Sequence, residues 1–260
     1  MHPRAQRMAL GAYRLVFVRG LLRFAWGRRL FFGLYESYKR LFEAGSINAL
    51  RSFVPEGSCV VDVGANVGFF AKRFARWVGP RGRVVAIEPE AANHAELVRA
   101  LDARNLGGRV LVLRAAADAI AGTARLRINP DHPGDHRLSD DGEPVAAVTV
   151  DESVPAGLRV SLIKIDVQGA ELRVLSGAGA VVARDRPALF VEVHPPSLAL
   201  YGASLDSLLR WCADRNYAPH WLVRGQAQTL PRADLESALA RRGYVDVLFL
   251  PAENCAKVEG

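Results

Sequence analysis

Residues 60–70 read VVDVGANVGFF, and this stretch determines the fold class. A short β-branched run contains Asp62, two glycines follow at positions 64 and 68, and an apolar run typical of a helix begins at Phe69. This order predicts a buried strand, a tight turn and a helix N-terminus, which is where open α/β sheets bind nucleotide-like ligands. The glycines allow the chain to turn sharply and a ligand to approach the backbone.

The spacing of the two glycines argues against a dinucleotide. The dinucleotide fingerprint is G-x-G-x-x-G, whereas three residues separate Gly64 from Gly68, and Asp62 stands where the first glycine would be. A carboxylate at a strand end repels a pyrophosphate but attracts a cation. The stretch therefore favours a ligand such as S-adenosylmethionine (SAM), whose amino-acid part carries an ammonium group.

Two further strands supply candidate contacts for the rest of such a ligand. Residues 83–87 (RVVAI) end at Glu88, whose carboxylate could accept hydrogen bonds from the two ribose hydroxyls. We expect Glu90 to begin the next helix, where an acid complements the helix dipole. Residues 110–113 (VLVL) lead into small residues that leave room for a flat ring, and Asp118 could accept from an adenine amino group.

Residues 160–166 and 188–194 complete a pattern of alternating strands and helices. This pattern predicts a doubly wound, mostly parallel sheet that binds ligands at the carboxyl ends of its strands. Several polar side chains share that placement, at or just past the ends of the predicted strands: Asp62, Glu88, Asp118, Asp166, Glu192 and His194.

Five phrases make the resemblance to a known family specific. DVGANVGFF, AIEPE, GDHRL, LIKIDVQGAELRVLSGA and VEVHPPSL occur in this order and resemble the FkbM-type family of SAM-dependent methyltransferases. The resemblance implies a class I methyltransferase fold, a Rossmann-like α/β domain with a seven-stranded sheet whose last strand is antiparallel. It also implies methyl transfer, usually to a hydroxyl of a sugar, glycolipid or secondary metabolite. The expected cofactor contacts are Asp62, Gly64, Ala65, Asn66, Gly68, Phe69, Glu88, Pro89, Ala117, Asp118 and Asp166.

Two other functions remain open from the sequence. An NAD(P)-dependent oxidoreductase could use a related sheet, although the chain lacks G-x-G-x-x-G and a mid-chain Tyr-x-x-x-Lys pair. A catalytically silent, SAM-binding scaffold is the second alternative.

An alcohol acceptor needs a base or a metal because its pKa lies near that of water, about 15.7. His194 follows Glu192 on one predicted strand, and the two-residue period places both on the same face, which suits a histidine that takes up a proton. His136 is the rival base. It lies in a polar loop at residues 129–144, the expected acceptor-facing element, and Asp135, His136 and Arg137 match the family phrase.

A divalent metal ion is the alternative to a histidine base. Asp166, Glu192 and His194 end neighbouring strands, and an ion bound there would lower the pKa of a hydroxyl acceptor. Without a metal, Asp166 is expected to contact SAM or to orient the acceptor.

Charge is concentrated at the N-terminus. Residues 1–50 hold nine Arg or Lys against two Glu, and the remaining residues hold 25 basic and 25 acidic side chains. We expect residues 1–50 to form a basic, apolar helical extension and residues 51–260 to form the methyltransferase domain. The balanced charge of that domain argues against nucleic acid as a partner. The extension either covers the cofactor cleft or lies on a membrane surface through residues 1–34.

The three cysteines, Cys59, Cys212 and Cys255, lack metal-ligand spacing. We interpret them as buried or incidental thiols of a cytoplasmic protein, whose surface contact with the inner membrane would depend on the extension. The expected acceptor is a small molecule, sugar or glycolipid.

Overall fold

The computed structural model describes residues 44–129, 135–223 and 226–255. The predicted extension therefore lies largely outside the described residues, as does the center of the predicted acceptor-facing loop. The strands are β1 (Cys59–Val63), β2 (Arg83–Ile87), β3 (Val110–Leu113), β4 (Ala116–Ala117), β5 (Gly122–Arg127), β6 (Arg137–Leu138), β7 (Glu143–Val148), β8 (Val160–Ile165), β9 (Ala188–Val193), β10 (Tyr217–Val223), β11 (Gln226–Thr229) and β12 (Val245–Pro251).

Helices connect these strands and cover the sheet. They are α1 (Ala44–Ala49), α2 (Ala71–Trp77), α3 (Ala91–Asp102), α4 (Val150–Ser153), α5 (Glu171–Ser176), α6 (Gly179–Asp185), α7 (Pro195–Ala199), α8 (Leu205–Ala213), α9 (Arg232–Arg242) and α10 (Ala252–Cys255). Ser204 caps α8 through a capping box with Ser207. In the part of the chain that the structure describes, no helix combines the length and the apolar character needed to cross a membrane.

The main sheet has the predicted doubly wound topology. Its strand order is β11-β10-β12-β9-β8-β1-β2-β3. The five strands from β9 to β3 are parallel, and β12 is antiparallel to both of its neighbours. The predicted α/β class I architecture and its antiparallel last strand are thus confirmed. The sheet has eight strands rather than seven because the polar segment QAQT forms the edge strand β11.

Alternate residues of the central strands pack on opposite faces of this sheet. Val61 and Val63 belong to a core that includes Leu175 and Leu208 from the helices on that face. Val60 belongs to a second core, which contains residues of α1, α2 and α3: Ile47, Phe74 and Leu97. All five side chains of β1 are buried, as is typical of a strand covered on both faces.

A second sheet of four short strands, in the order β4-β7-β5-β6, adjoins the main one. The sequence predicts strands at residues 124–128 and 146–150 but a loop throughout 129–144. That loop prediction is wrong at Arg137–Leu138 and from Glu143 onward, where β6 and β7 pair with β5. Consequently Asp118 follows a strand of the small sheet rather than β3.

Two cysteines lie in the interior, as predicted. Cys59 in β1 and Cys212 in α8 are buried free thiols. Burial raises the pKa of each thiol to about 12, so both are protonated and unreactive at neutral pH.

The turn after β1 depends on a glycine that allows two strand ends to meet. Gly64 has a φ of +71°, and a Cβ at this position would lie 1.9 Å from the carbonyl oxygen of Asp166. Two constraints therefore exclude any residue other than glycine at position 64: its left-handed φ, and the main chain of Asp166, which a Cβ would overlap. This contact joins the ends of β1 and β8 at the carboxyl edge of the sheet.

We expect Gly64→Ala to cost about 3 kcal/mol of folding stability, the sum of a left-handed alanine and a backbone displacement. Gly157 is a matched control because its φ is +79° but a Cβ there meets nothing within 4 Å. Gly157→Ala should therefore cost only about 1 kcal/mol. Urea unfolding of both variants measures the difference, and equal losses would contradict the close approach.

Candidate active site

The turn between β1 and α2 is fixed by backbone hydrogen bonds to β2. The amides of Gly64 and Ala65 both donate to the carbonyl of Ile87, at 3.0 and 3.1 Å. Asn66 adopts a left-handed φ of +48°. A Cβ on Gly68 would lie 2.5 Å from Leu97, so this glycine lets the turn pack against α3. The predicted contacts Ala65 and Phe69 are buried in this turn.

Glu88 links the glycine turn to the end of β2. Its two carboxylate oxygens accept hydrogen bonds from the backbone amides of Asn66 at 2.9 Å and Glu90 at 3.0 Å. Burial raises the pKa of this carboxyl to about 7, although the two amide donors act in the opposite direction. Pro89, which follows it, is partly exposed. Glu90 caps α3 through the amides of Ala92 and Asn93, as predicted.

A buried lysine lies between two predicted site carboxylates. Lys164 pairs with Asp62 in the β1–β8 register, and its Nζ lies 3.4 Å from Asp62 Oδ1 and 3.7 Å from Asp166 Oδ2. The same ammonium donates to the carbonyls of Val63 at 3.1 Å and Gly64 at 2.8 Å. Burial raises the pKa of Asp62, against the influence of Lys164. Asp62 is thus a buried counter-ion of Lys164, and its predicted contact with a cofactor stays a prediction.

An amide bridges the ends of β8 and β9. The side-chain nitrogen of Gln168 donates to Asp166 Oδ1 at 3.3 Å and to Glu192 Oε2 at 3.2 Å. Gln168 has a left-handed φ of +57°, which turns its side chain back toward the strand ends. The structure therefore brings Asp166 and Glu192 together, as predicted, with an amide between them.

Glu171 supports the loop that carries Gln168. Its Oε1 accepts from the amide of Gly169 at 2.9 Å and, more weakly, from that of Val167 at 3.4 Å. Burial raises the pKa of Glu171. A Cβ on Gly169 would lie 2.3 Å from the carbonyl oxygen of Ser197, so this loop packs directly on α7.

His194 lies at the carboxyl end of β9 and precedes α7. Its Nδ1 is 2.6 Å from the hydroxyl of the buried Ser197. Glu192, the acid predicted to serve His194, is instead hydrogen-bonded by Gln168. The ring of His194 is partly exposed, so its Nε2 is the nitrogen that a substrate could approach.

The rival base, His136, belongs to the hairpin of the small sheet. Its Nδ1 accepts from the amide of Asn129 at 3.1 Å, and neighbouring Asp135 accepts from Arg137 Nε at 2.8 Å. The hydroxyl of Tyr201, just after α7, donates to the carbonyl of Leu138 at 2.9 Å. Tyr201 thereby attaches this hairpin to the segment that follows His194.

Asp118 is engaged by an arginine. Both of its oxygens accept from the guanidinium of Arg173 on α5, with a distance of 2.8 Å from Nε. Ala117, its neighbour, is buried. Oδ1 also accepts from the amide of Ala119 at 2.7 Å, so the predicted adenine contact would have to use the second lone pair of Oδ2, and it stays a prediction.

The comparisons with known proteins agree with this geometry. The family model described as the methyltransferase FkbM domain matches residues 62–219, from the buried acid of β1 to strand β10. The chain belongs to the FkbM methyltransferase family. This membership favours the methyltransferase prediction over the oxidoreductase alternative. The matched range includes Glu88, Lys164, Gln168 and His194.

Two fungal relatives are similar over part of their length. Methyltransferase sdnD of Sordaria araneosa is 29% identical over 160 residues, covering 48% of this chain and 61% of the relative. Methyltransferase 1 of Beauveria bassiana (strain ARSEF 2860) is 29% identical over 149 residues, covering 47% and 59%. The chain thus spans about three fifths of the length of these curated relatives.

The similarity to solved structures concerns the fold. A proposed rRNA methylase from Clostridium thermocellum has a TM-score of 0.50 at 14% identity, covering 79% of this chain and 94% of that one. At this identity the match shows a shared class I SAM-dependent methyltransferase fold and nothing about the acceptor.

The predicted metal set is not assembled. Within residues 44–129, 135–223 and 226–255, no three His, Cys, Asp or Glu side chains are grouped so that they could hold a metal ion. Asp166 and Glu192 are held by the Gln168 amide, and His194 is held by Ser197. The prediction of Asp166, Glu192 and His194 as metal ligands is therefore wrong for this geometry, because their hydrogen-bond partners hold them in two separate groups.

Three residues of the site were missed from the sequence: Lys164, Gln168 and Ser197. Lys164 interrupts an otherwise apolar strand, which is a usable signal because a buried lysine requires a counter-charge. Gln168 occupies a position whose left-handed backbone the sequence does not reveal. Ser197 lies three residues after His194 and looks like an ordinary helix residue.

We expect Lys164→Met to lower folding stability by about 3–5 kcal/mol at pH 8, because it leaves the fully buried Asp62 without its counter-charge. The loss should shrink at pH 5, where the raised pKa of Asp62 favours its neutral form. The double variant Lys164→Met/Asp62→Asn removes both charges and should recover part of the loss. Urea unfolding at both pH values measures these effects, and a double variant as unstable as the sum of the single ones would contradict the pairing.

Proposed function

We propose that this protein is a SAM-dependent O-methyltransferase that acts on a hydroxyl of a sugar, glycolipid or secondary metabolite. The observation that carries the proposal is the grouping of a glycine turn, Glu88 and Asp166 at the carboxyl edge of a doubly wound sheet. Glu88 contacts the turn through the amide of Asn66, and Asp166 contacts it through Gly64. Ligands of such sheets bind at this edge.

The residues present fit SAM in their chemistry. Glu88 offers carboxylate oxygens that already accept two amides and retain lone pairs for ribose hydroxyls. Asp166 offers a partly exposed negative charge beside the glycine turn, which suits a cationic ligand. SAM, when bound, supplies a methyl group already activated by the sulfonium.

The protein must then align the acceptor and remove one proton. Alignment of two reactants can supply roughly 7–11 kcal/mol of a barrier. In this proposal Nε2 of His194 takes up the proton of the acceptor hydroxyl, because the hydrogen bond between Nδ1 and Ser197 fixes the ring at the strand end. With Nδ1–H donating to the serine oxygen, Nε2 carries the free lone pair that a general base needs.

The acceptor side is formed by the hairpin of the small sheet. Tyr201 joins this hairpin to the segment after His194, so the candidate base and the hairpin face one region. The hairpin carries Asp135 and Arg137, which suit hydroxyl groups as hydrogen-bond partners. This polarity supports a hydroxylated acceptor. No nucleic acid is proposed as a partner, since the charge of residues 51–260 is balanced.

The raised pKa of Glu88 predicts pH-dependent SAM binding. Ribose hydroxyls donate to the ionised carboxylate, so a proton must leave Glu88 when SAM binds below its pKa of about 7. We expect the Kd at pH 6 to be about tenfold larger than at pH 8. Glu88→Gln should weaken binding at pH 8 by about 1.5–3 kcal/mol and abolish most of the pH dependence. Calorimetric titration at several pH values tests this. If the Kd of the variant depends on pH as strongly as that of the wild type, another group is responsible for the pH dependence.

The function itself is tested by methyl transfer. The purified protein is incubated with radiolabelled SAM and an extract of its source organism, and products are separated into lipid, polysaccharide, protein and small-molecule fractions. We expect label in a hydroxylated lipid, sugar or small molecule. His194→Ala should bind SAM normally and lower the rate by about 10²–10⁴-fold, the usual contribution of a general base.

His136→Ala is the matched comparison, because it removes the other candidate base from the same region. A loss of methyl-transfer rate in His136→Ala alone would identify His136, on the hairpin, as the general base. Tight SAM binding without transfer to any fraction would instead favour the silent scaffold.

A further inference from the structure

Three charged side chains at the glycine turn differ sharply in their access to solvent. The side chain of Asp62 is 0% exposed and that of Lys164 is 4% exposed, whereas that of Asp166 is 29% exposed. All three are linked through the Lys164 ammonium. A ligand in the cleft therefore meets this group through Asp166.

The net charge of the group is negative. One ammonium lies 3.4 Å from a carboxylate of β1 and 3.7 Å from that of Asp166. Its shorter contact and its burial assign it to Asp62, and its donors are further engaged by the carbonyls of Val63 and Gly64. The pair is thus neutralised inside the sheet, and about one negative charge is left at Asp166.

The two cofactor forms of a methyl transfer differ by one charge. SAM carries a sulfonium, an ammonium and a carboxylate, so its net charge is +1. S-adenosylhomocysteine has lost the methyl group and the sulfonium charge with it, so its net charge is zero. A fixed negative charge in a partly buried site distinguishes two such ligands.

We infer that Asp166 is a specificity-determining residue that makes the site bind the cationic cofactor more tightly than its neutral product. This inference rests on the proposed function. The placement of Asp166 supports it, because its backbone contacts the glycine turn at Gly64. The Gln168 amide also holds its carboxylate at 3.3 Å.

A consequence concerns product release. The transfer step removes the positive charge that Asp166 attracts, so the spent cofactor is held less tightly than the fresh one. The charge arrangement therefore favours exchange of the product for a new SAM molecule.

The test compares the binding of three ligands to Asp166→Asn, which keeps the shape of the side chain and removes its charge. SAM, S-adenosylhomocysteine and sinefungin, a SAM analogue with a protonated amine in place of the sulfonium, are titrated calorimetrically. We expect the ratio of the product Kd to the SAM Kd to fall about tenfold, mainly through weaker SAM binding. Sinefungin should follow SAM, because its charge rather than its methyl group is recognised.

Asp214→Asn is the matched control. It makes the same charge change at an exposed residue at the C-terminal end of α8. This position precedes β10, which runs parallel to β9 and so begins at the opposite edge of the sheet. The affinity ratio should be unchanged in this variant.

The outcomes separate the inference from the proposed function. A wild-type ratio in Asp166→Asn, with normal binding of both ligands, would overturn the inference and leave the function intact. Failure of wild-type protein to bind either ligand would instead overturn the function. Should Asp166→Asn not fold, the wild-type ratio is measured from low to high salt. We expect it to fall as the charge is screened, and a constant ratio would overturn the inference.

Discussion

The ammonium of Lys164 is the interaction on which the ends of the central strands depend. It lies where β1 and β8 finish, donates to the backbone carbonyls of Val63 and Gly64, and lies within ion-pair distance of two carboxylates. Burying a charge is costly unless it is paired and hydrogen-bonded, and here both conditions are met. The glycine turn can approach the β8 end closely because this cation neutralises Asp62, which would otherwise oppose Asp166.

Much of the fold follows from local patterns. The strands β2 and β3 have their predicted bounds, because each is a continuous run of apolar residues of the kind that parallel strands show. The small sheet followed only in part: β5 and β7 overlap predicted strands, whereas β4 and β6 have two residues each and show no alternation. The edge strand β11 was missed for a related reason: it is polar and mostly exposed, so only its pairing with β10 identifies it.

In the site, likewise, some residues could be predicted from the sequence and others only from the three-dimensional structure. The carboxylates were predictable because parallel strands place their ends at one edge. Their partners were not. Lys164 meets Asp62 through the register of two strands that are 102 positions apart in the chain. The Gln168 bridge requires a left-handed backbone conformation that most residues avoid. The metal prediction failed for a similar reason: Gln168 joins Asp166 to Glu192, whereas His194 pairs with Ser197, and neither partner was predicted.

The segment from His194 to Tyr201 connects the loop after β8 to the hairpin of the small sheet. Ser197 holds the histidine ring through its hydroxyl, while its carbonyl packs against Gly169 so closely that a Cβ there would overlap it. Tyr201 then reaches the carbonyl of Leu138 in the hairpin. One short segment thus makes all three contacts, and it links the hairpin, the ring of His194 and the loop that carries Gln168. The position of the candidate base is therefore set by packing against two different parts of the site, because closely packed groups constrain one another.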